Sequence, residues 1–155
     1  MKKLTLSLIT CLIFLSPNVV MSETMDDLVK RGGLFYKKFS EVPFTGKVTG
    51  KEQGNYKNGK QEGDWVRYWD DGQLKRAINY KASKIDGLYE TYHRNGRLMT
   101  RSNYKDGAPE GLWEVFFKDG QLSAKGNYKN GKPEGLYETY HRNGQLWEKK
   151  YYNLS

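Results

Sequence analysis

The chain has 155 residues, enough for one ordinary domain or one short repeat array. Its 26 Lys and Arg against 18 Asp and Glu give a formal net charge of +8. After residue 22 there are 17 Leu, Ile and Val against 21 aromatic residues, too few aliphatics to fill the core of a doubly wound α/β enzyme. The 12 Tyr and 4 Trp point to β structure instead.

Residues 1–22 read as a secretory signal. Lys2 and Lys3 form a charged start, an apolar run follows from Leu4 to Leu15, and Pro17 ends it. Cleavage is expected between Ser22 and Glu23. The run, about a dozen residues, is short for a membrane span. Cys11 follows Leu8-Ile9-Thr10, a loose likeness to a lipidation box. Thr fits that box poorly, and the apolar run continues past the cysteine. The mature chain would be free of cysteine, which suits an oxidising compartment without disulfides. The expected location is therefore periplasmic, outer-membrane-associated or extracellular.

Residues 23–56 are expected to form a lead-in hairpin and a degenerate cap repeat. Segments 33–38 and 44–49 would be the hairpin, with Glu41-Val42-Pro43 at its turn. At most one helical turn is expected, over residues 26–30.

Residues 57–155 carry the main signal. Gly63, Gly87, Gly111 and Gly135 are 24 apart, and so are Gly72, Gly96, Gly120 and Gly144. Tyr56, Tyr80, Tyr104, Tyr128 and Tyr152 keep the same period, as do Leu74, Leu98, Leu122 and Leu146. A fixed period of this length denotes a repeat architecture. Each unit holds two runs of β-formers separated by Asn-Gly or Asp-Gly turns, such as Asp119-Gly120 and Asn130-Gly131. In the second unit Lys81-Ala82-Ser83-Lys84 replaces the Asn-Gly turn, so a looser turn is expected there. The predicted fold is all-β: a repetitive antiparallel meander in a single sheet, with about eight strands in the array.

Strand alternation sorts the aromatic side chains into two columns. Trp65, Tyr89, Trp113 and Tyr137 share one face. Tyr68, Tyr92, Phe116 and Tyr140 point to the other. Equivalent members lie two strands apart, on the order of 9–10 Å. One column is expected to pack on Leu74, Leu98, Leu122 and Leu146 as a thin core, leaving the other as a surface.

The units GDWVRYWDDGQL, GLYETYHRNGRL, GLWEVFFKDGQL and GLYETYHRNGQL, with Asn58-Gly59-Lys60 and Asn130-Gly131-Lys132, resemble the bacterial MORN-repeat variant family. Members of that family are often labelled YwqK-type antitoxins. The segment Pro43-Phe44-Thr45-Gly46 is similar to the family's lead-in, and the likeness covers roughly residues 28–152. It implies a hairpin-repeat fold, and the antitoxin label implies binding and blocking of a toxin.

No reaction is implied. His93 and His141 hold the same repeat position two units apart, on the order of 19 Å across four strands, too far to share a metal. Glu62, Asp86, Glu110 and Glu134 each precede a repeat glycine and are expected as solvated turn residues. There is no Ser-His-Asp order, phosphate-binding glycine loop or metal signature. The chain is accordingly expected to be a non-enzyme without cofactor. Bases are interleaved with acids along the array, which argues against nucleic acid. An aromatic face on a repeat sheet suits a protein partner, where Trp and Tyr dominate binding energy. The alternatives are an aromatic ladder for envelope glycan or choline, and weak attraction to anionic lipid. The oligomeric state is left open by the sequence, pairing of open sheet edges between chains being one alternative.

Overall fold

The computed structural model describes residues 22–153. Residues 1–21, which hold most of the predicted signal and Cys11, lie outside the described residues.

The strands are β1 (Glu23–Thr24), β2 (Leu28–Arg31), β3 (Leu34–Lys37), β4 (Gly46–Thr49), β5 (Glu52–Lys57), β6 (Lys60–Tyr68), β7 (Leu74–Lys81), β8 (Lys84–Tyr92), β9 (Leu98–Lys105), β10 (Ala108–Phe116), β11 (Leu122–Lys129), β12 (Lys132–Tyr140) and β13 (Leu146–Tyr152). One 3-10 turn spans Met25–Asp27. Strands β4 to β13 lie side by side in chain order in an 11-stranded sheet, with β1 parallel on the outer side of β4. Every other pairing in that sheet is antiparallel, so the array is the predicted meander, and residues 57–155 hold eight of its strands from β6 on.

Two kinds of turn alternate. At one end of the sheet, two-residue turns join the strands through positive φ at both central positions, as at Asn58 and Gly59 (φ 50 and 74) and at Asn130 and Gly131 (φ 50 and 80). This mirror-image turn matches the twist of the flanking strands. The predicted looser turn at Ala82-Ser83 is not found: φ is 49 and 66, the same geometry. The ladders on either side hold the turn in register although neither residue favours the left-handed region. At the other end Gly72, Gly96, Gly120 and Gly144 close longer turns, each donating its N–H to the carbonyl three residues back. The next residue's N–H is caught by the side chain of Asp71, Asn95, Asp119 or Asn143.

The lead-in differs from expectation. Segment 33–38 meets the start of the second segment only through an isolated bridge between Tyr36 and Pro43 and the bond from Phe44 N to Phe35 O, not as a hairpin ladder. Instead β3 pairs with β2 across Gly32-Gly33, whose φ values of 55 and 83 allow the tightest available turn. Segment 44–49 joins the main sheet through β4 and β5. The β2–β3 hairpin forms a separate two-stranded sheet. It is docked by hydrogen bonds from Phe35 N to Gly59 O and from Phe44 N to Phe35 O.

The buried core sits at this N-terminal end. Leu28, Phe44, Val48, Tyr56 and Trp65 form one cluster, with Met25, Phe35 and Tyr80 packed against it. Val48 is 0% exposed and Trp65 4%. The Trp65 ring lies flat over β5 at Gly54, where a Cβ would stand 2.3 Å from the indole. The rest of the array is a single layer with half-buried side chains on both faces.

Candidate functional site

Register pairs put directly opposed residues on one face. On the first face Trp65 opposes Ile78, Ile78 opposes Tyr89, Tyr89 opposes Ser102 and Ser102 opposes Trp113. Tyr137 continues the column. Its ring lies over Gly126, where a Cβ would stand 2.6 Å away. The tyrosines one turn of the pleat away lean on these rings. Trp65 meets Tyr56 at 5.0 Å and Tyr80 at 6.2 Å, both edge-on. Tyr89 meets Tyr104 at 5.4 Å, Trp113 meets Tyr128 at 6.2 Å, and Tyr137 meets Tyr152 at 6.1 Å. Trp113 and Tyr137 stack at 5.8 Å and 20°. The result is an aromatic band across the whole sheet. Burial raises the pKa of Tyr80, Tyr104 and Tyr137.

Of the first column, only Trp65 is roofed by the lead-in. Tyr89, Trp113 and Tyr137 are half-buried, and no described element packs over them. The structure therefore divides this column into a core residue and an open surface.

The second column, Tyr68, Tyr92, Phe116 and Tyr140, is the one in register with Leu74, Leu98, Leu122 and Leu146. This band is also half-buried and uncovered, apart from Leu146, which is exposed. The expectation that one column would be core and the other surface is thus corrected. Beyond Trp65 both faces of a single layer meet solvent, and among the described residues neither column has a partner layer to bury it.

Sequence reasoning missed a charge ladder on the second face. Glu90, Arg101, Glu114, Lys125, Glu138 and Lys149 oppose one another strand by strand. Arg101 lies 2.9 Å from Glu90, while Lys125 and Lys149 lie 2.9 and 3.1 Å from Glu138. Tyr92 and Tyr140 donate their hydroxyls to Glu90 and Glu138. Burial pushes the Glu90 carboxyl up, but hydrogen bonds from Tyr92 and Arg101 outweigh it and hold the pKa low. Burial and the Glu90 bond push Tyr92 up to about 12. The missed signal is the spacing of Glu90 and Arg101, which becomes opposition only once the turn register is fixed.

Three of the acids preceding repeat glycines are also more than solvated turn residues. Glu62 accepts the N–H of Ala82 at 2.9 Å, Asp86 that of Asp106 at 3.1 Å, and Glu110 that of Asn130 at 2.8 Å. Each braces the turn of the following repeat. His93 is likewise engaged, its Nε2 donating to Phe116 O at 2.9 Å in the neighbouring turn. Among the described residues, no three His, Cys, Asp or Glu side chains stand close enough to hold a metal. Glu23 begins β1, and Ser22 is hydrogen-bonded to Thr49.

A family model described as MORN repeat variant matches residues 61–82, 85–106, 109–130 and 133–154. The four matches fall on the four hairpins from β6 to β13, one per period. No curated protein matches the chain.

Proposed function

The chain belongs to the MORN repeat variant family, whose repeats are generally associated with binding to proteins or membranes, and from that premise we propose that it is an exported, non-catalytic protein that binds a partner protein through the open aromatic face. The observation that carries this reading is the band formed by Tyr89, Trp113 and Tyr137 with Tyr104, Tyr128 and Tyr152, half-buried and without a covering layer. Large rings held by a rigid sheet lose little entropy on binding and fill partner pockets well. Blocking of a toxin, as the antitoxin label suggests, is one form this binding would take.

Two details favour protein over the alternatives. Of the four ring contacts in the band two are edge to face, one is tilted and one is stacked, so the rings cover one another rather than offering separate flat faces to sugars or choline. On the other face the bases Arg101, Lys125 and Lys149 are paired with Glu90 and Glu138, which leaves little free positive charge there for a lipid surface. Export is supported by the charged start, apolar run and small residue at the cut in residues 1–22.

The test is affinity capture with the purified protein and with a Tyr89→Ser, Trp113→Ser, Tyr137→Ser variant, from envelope extract and host-cell lysate at two salt concentrations. One protein is expected near one-to-one stoichiometry in both salts, lost with the variant while its far-ultraviolet circular dichroism is kept. Capture of polysaccharide or lipid alone, or equal capture by the variant, would overturn the reading.

A further inference from the structure

Where the lead-in ends and the open face begins, the repeat pattern breaks. Arg67 and Arg76 stand directly opposite each other on β6 and β7, on the Trp65 face. The corresponding pairs in the next two repeats are Thr91 with Thr100 and Val115 with Ala124. The last repeat has Thr139 with Glu148, so this is the one step of the four at which two like charges stand opposite each other, an arrangement that destabilises a sheet. Glu52, from β5, compensates one of them, with its carboxylate 3.1 Å from Arg67 Nε. Arg76 forms no ion pair among the described residues. Arg67 and Arg76 both border a recess of about 130 Å³, walled also by Glu52, Trp65, Ile78 and Tyr80 among others.

A surplus guanidinium beside an apolar wall recognises a particular chemistry. The planar fork of Arg matches a carboxylate in two hydrogen bonds. Ile78 and Tyr80 match an aliphatic stem. The recess is well below the roughly 300–1,000 Å³ of small-molecule pockets, and suits one side chain. Beyond Arg76 this row of the face continues as Thr91, Thr100, Val115 and Ala124, so no plane of bases exists here to meet a lipid surface.

We infer that this recess receives an acidic side chain of the partner protein, its carboxylate on Arg76 and Arg67 and its stem against Ile78 and Tyr80. The inference rests on the reading of this face as a protein-binding surface, and it names the chemistry of the contact at one end of the aromatic band. It explains why the array tolerates an unfavourable arginine pair at this step only: the compensating charge arrives with the partner.

The test uses NMR of the purified protein, following the Arg side-chain Nε–H signals during titration with the end-capped peptide acetyl-Gly-Glu-Leu-Gly-amide. The Arg76 signal is expected to shift saturably. The Gln counterpart of the peptide, or the Arg76→Thr variant, is expected to bind about tenfold more weakly, the loss of one charge-assisted hydrogen bond. The variant places at 76 the residue found at position 100, so its fold is expected to persist. Equal shifts with the Gln peptide, no shift at Arg76, or a stronger response to phosphatidylglycerol vesicles than to the peptide would overturn the proposal. The captured partner separates the two readings. If Arg76→Thr binds it as the wild type does while the aromatic variant fails, this inference falls and the aromatic face stands. If the aromatic variant binds unchanged, that face falls, and the peptide titration still decides the recess.

Discussion

Three hydrogen bonds converge on the Glu138 carboxylate, from Lys125, Lys149 and Tyr140. They hold its pKa at about 2, with the Lys125 bond the largest cause, against an ordinary value of 4.5. Between those values the unfolded chain takes up a proton that the folded chain refuses, so stability rises with pH there. The contribution is complete above about pH 5 and is lost as pH falls through about 2. The Glu138→Gln variant is expected to show a flatter dependence of melting temperature on pH between 2 and 5, with a residual slope from Glu90. A slope equal to that of the wild type would show that the three bonds add nothing beyond solvent. Gly126 illustrates the same scale in apolar terms: the missing Cβ is what lets the Tyr137 ring lie on its neighbour strand.

At the scale of the hairpin, turn chemistry decides register, and register decides which side chains meet. The period of 24, the turn positions and the membership of both aromatic columns were all legible, because Gly, Asn-Gly and alternation act locally. The charge ladder was not. Each hairpin carries an irregularity near its longer turn, between Arg67 and Tyr68, Thr91 and Tyr92, Val115 and Phe116, and Thr139 and Tyr140. A single extra residue on the return strand changes which residue opposes which, and spacing alone does not show it. The lead-in was only partly legible for a related reason: Gly32-Gly33 and the Pro43 segment both signal turns and both are used, the first closing the β2–β3 ladder and the second only an isolated bridge between Tyr36 and Pro43. Ala82-Ser83 shows the opposite case, where the ladder overrides local preference. Non-glycine residues in the left-handed region cost about 1–2 kcal/mol, and Asn tolerates that region better than Ala does. Ala82→Asn is therefore expected to stabilise the protein by about 0.5–1 kcal/mol, read as a higher urea midpoint with an unchanged slope. The backbone N–H that donates to Glu62 is retained by this change. A lowered midpoint would show that the second turn is held by something other than its φ angles.

Across the whole molecule, burial is unequal. Among the described residues the cluster around Val48, Tyr56 and Trp65 is where a second layer covers the sheet, and each later hairpin packs chiefly on its neighbours. Stability in such an array is roughly a sum of weak repeats and the interfaces between them, so local opening need not involve the whole chain. The buried end should act as an anchor from which order propagates strand by strand toward β13, where Leu146, Trp147 and Tyr151 are exposed. Amide hydrogen exchange is expected to be slowest in β4 to β7 and to quicken progressively toward β12 and β13. Trp65→Ala is expected to cost about 3–5 kcal/mol at the anchor and to flatten the gradient by raising exchange in β4 to β7 most. Uniform protection along the array would instead mean that the aromatic band couples all the repeats into one cooperative unit. The gradient also bears on binding. A partner lying along Tyr89, Trp113 and Tyr137 would order the less protected repeats, so its strongest protection should appear at the end farthest from the core.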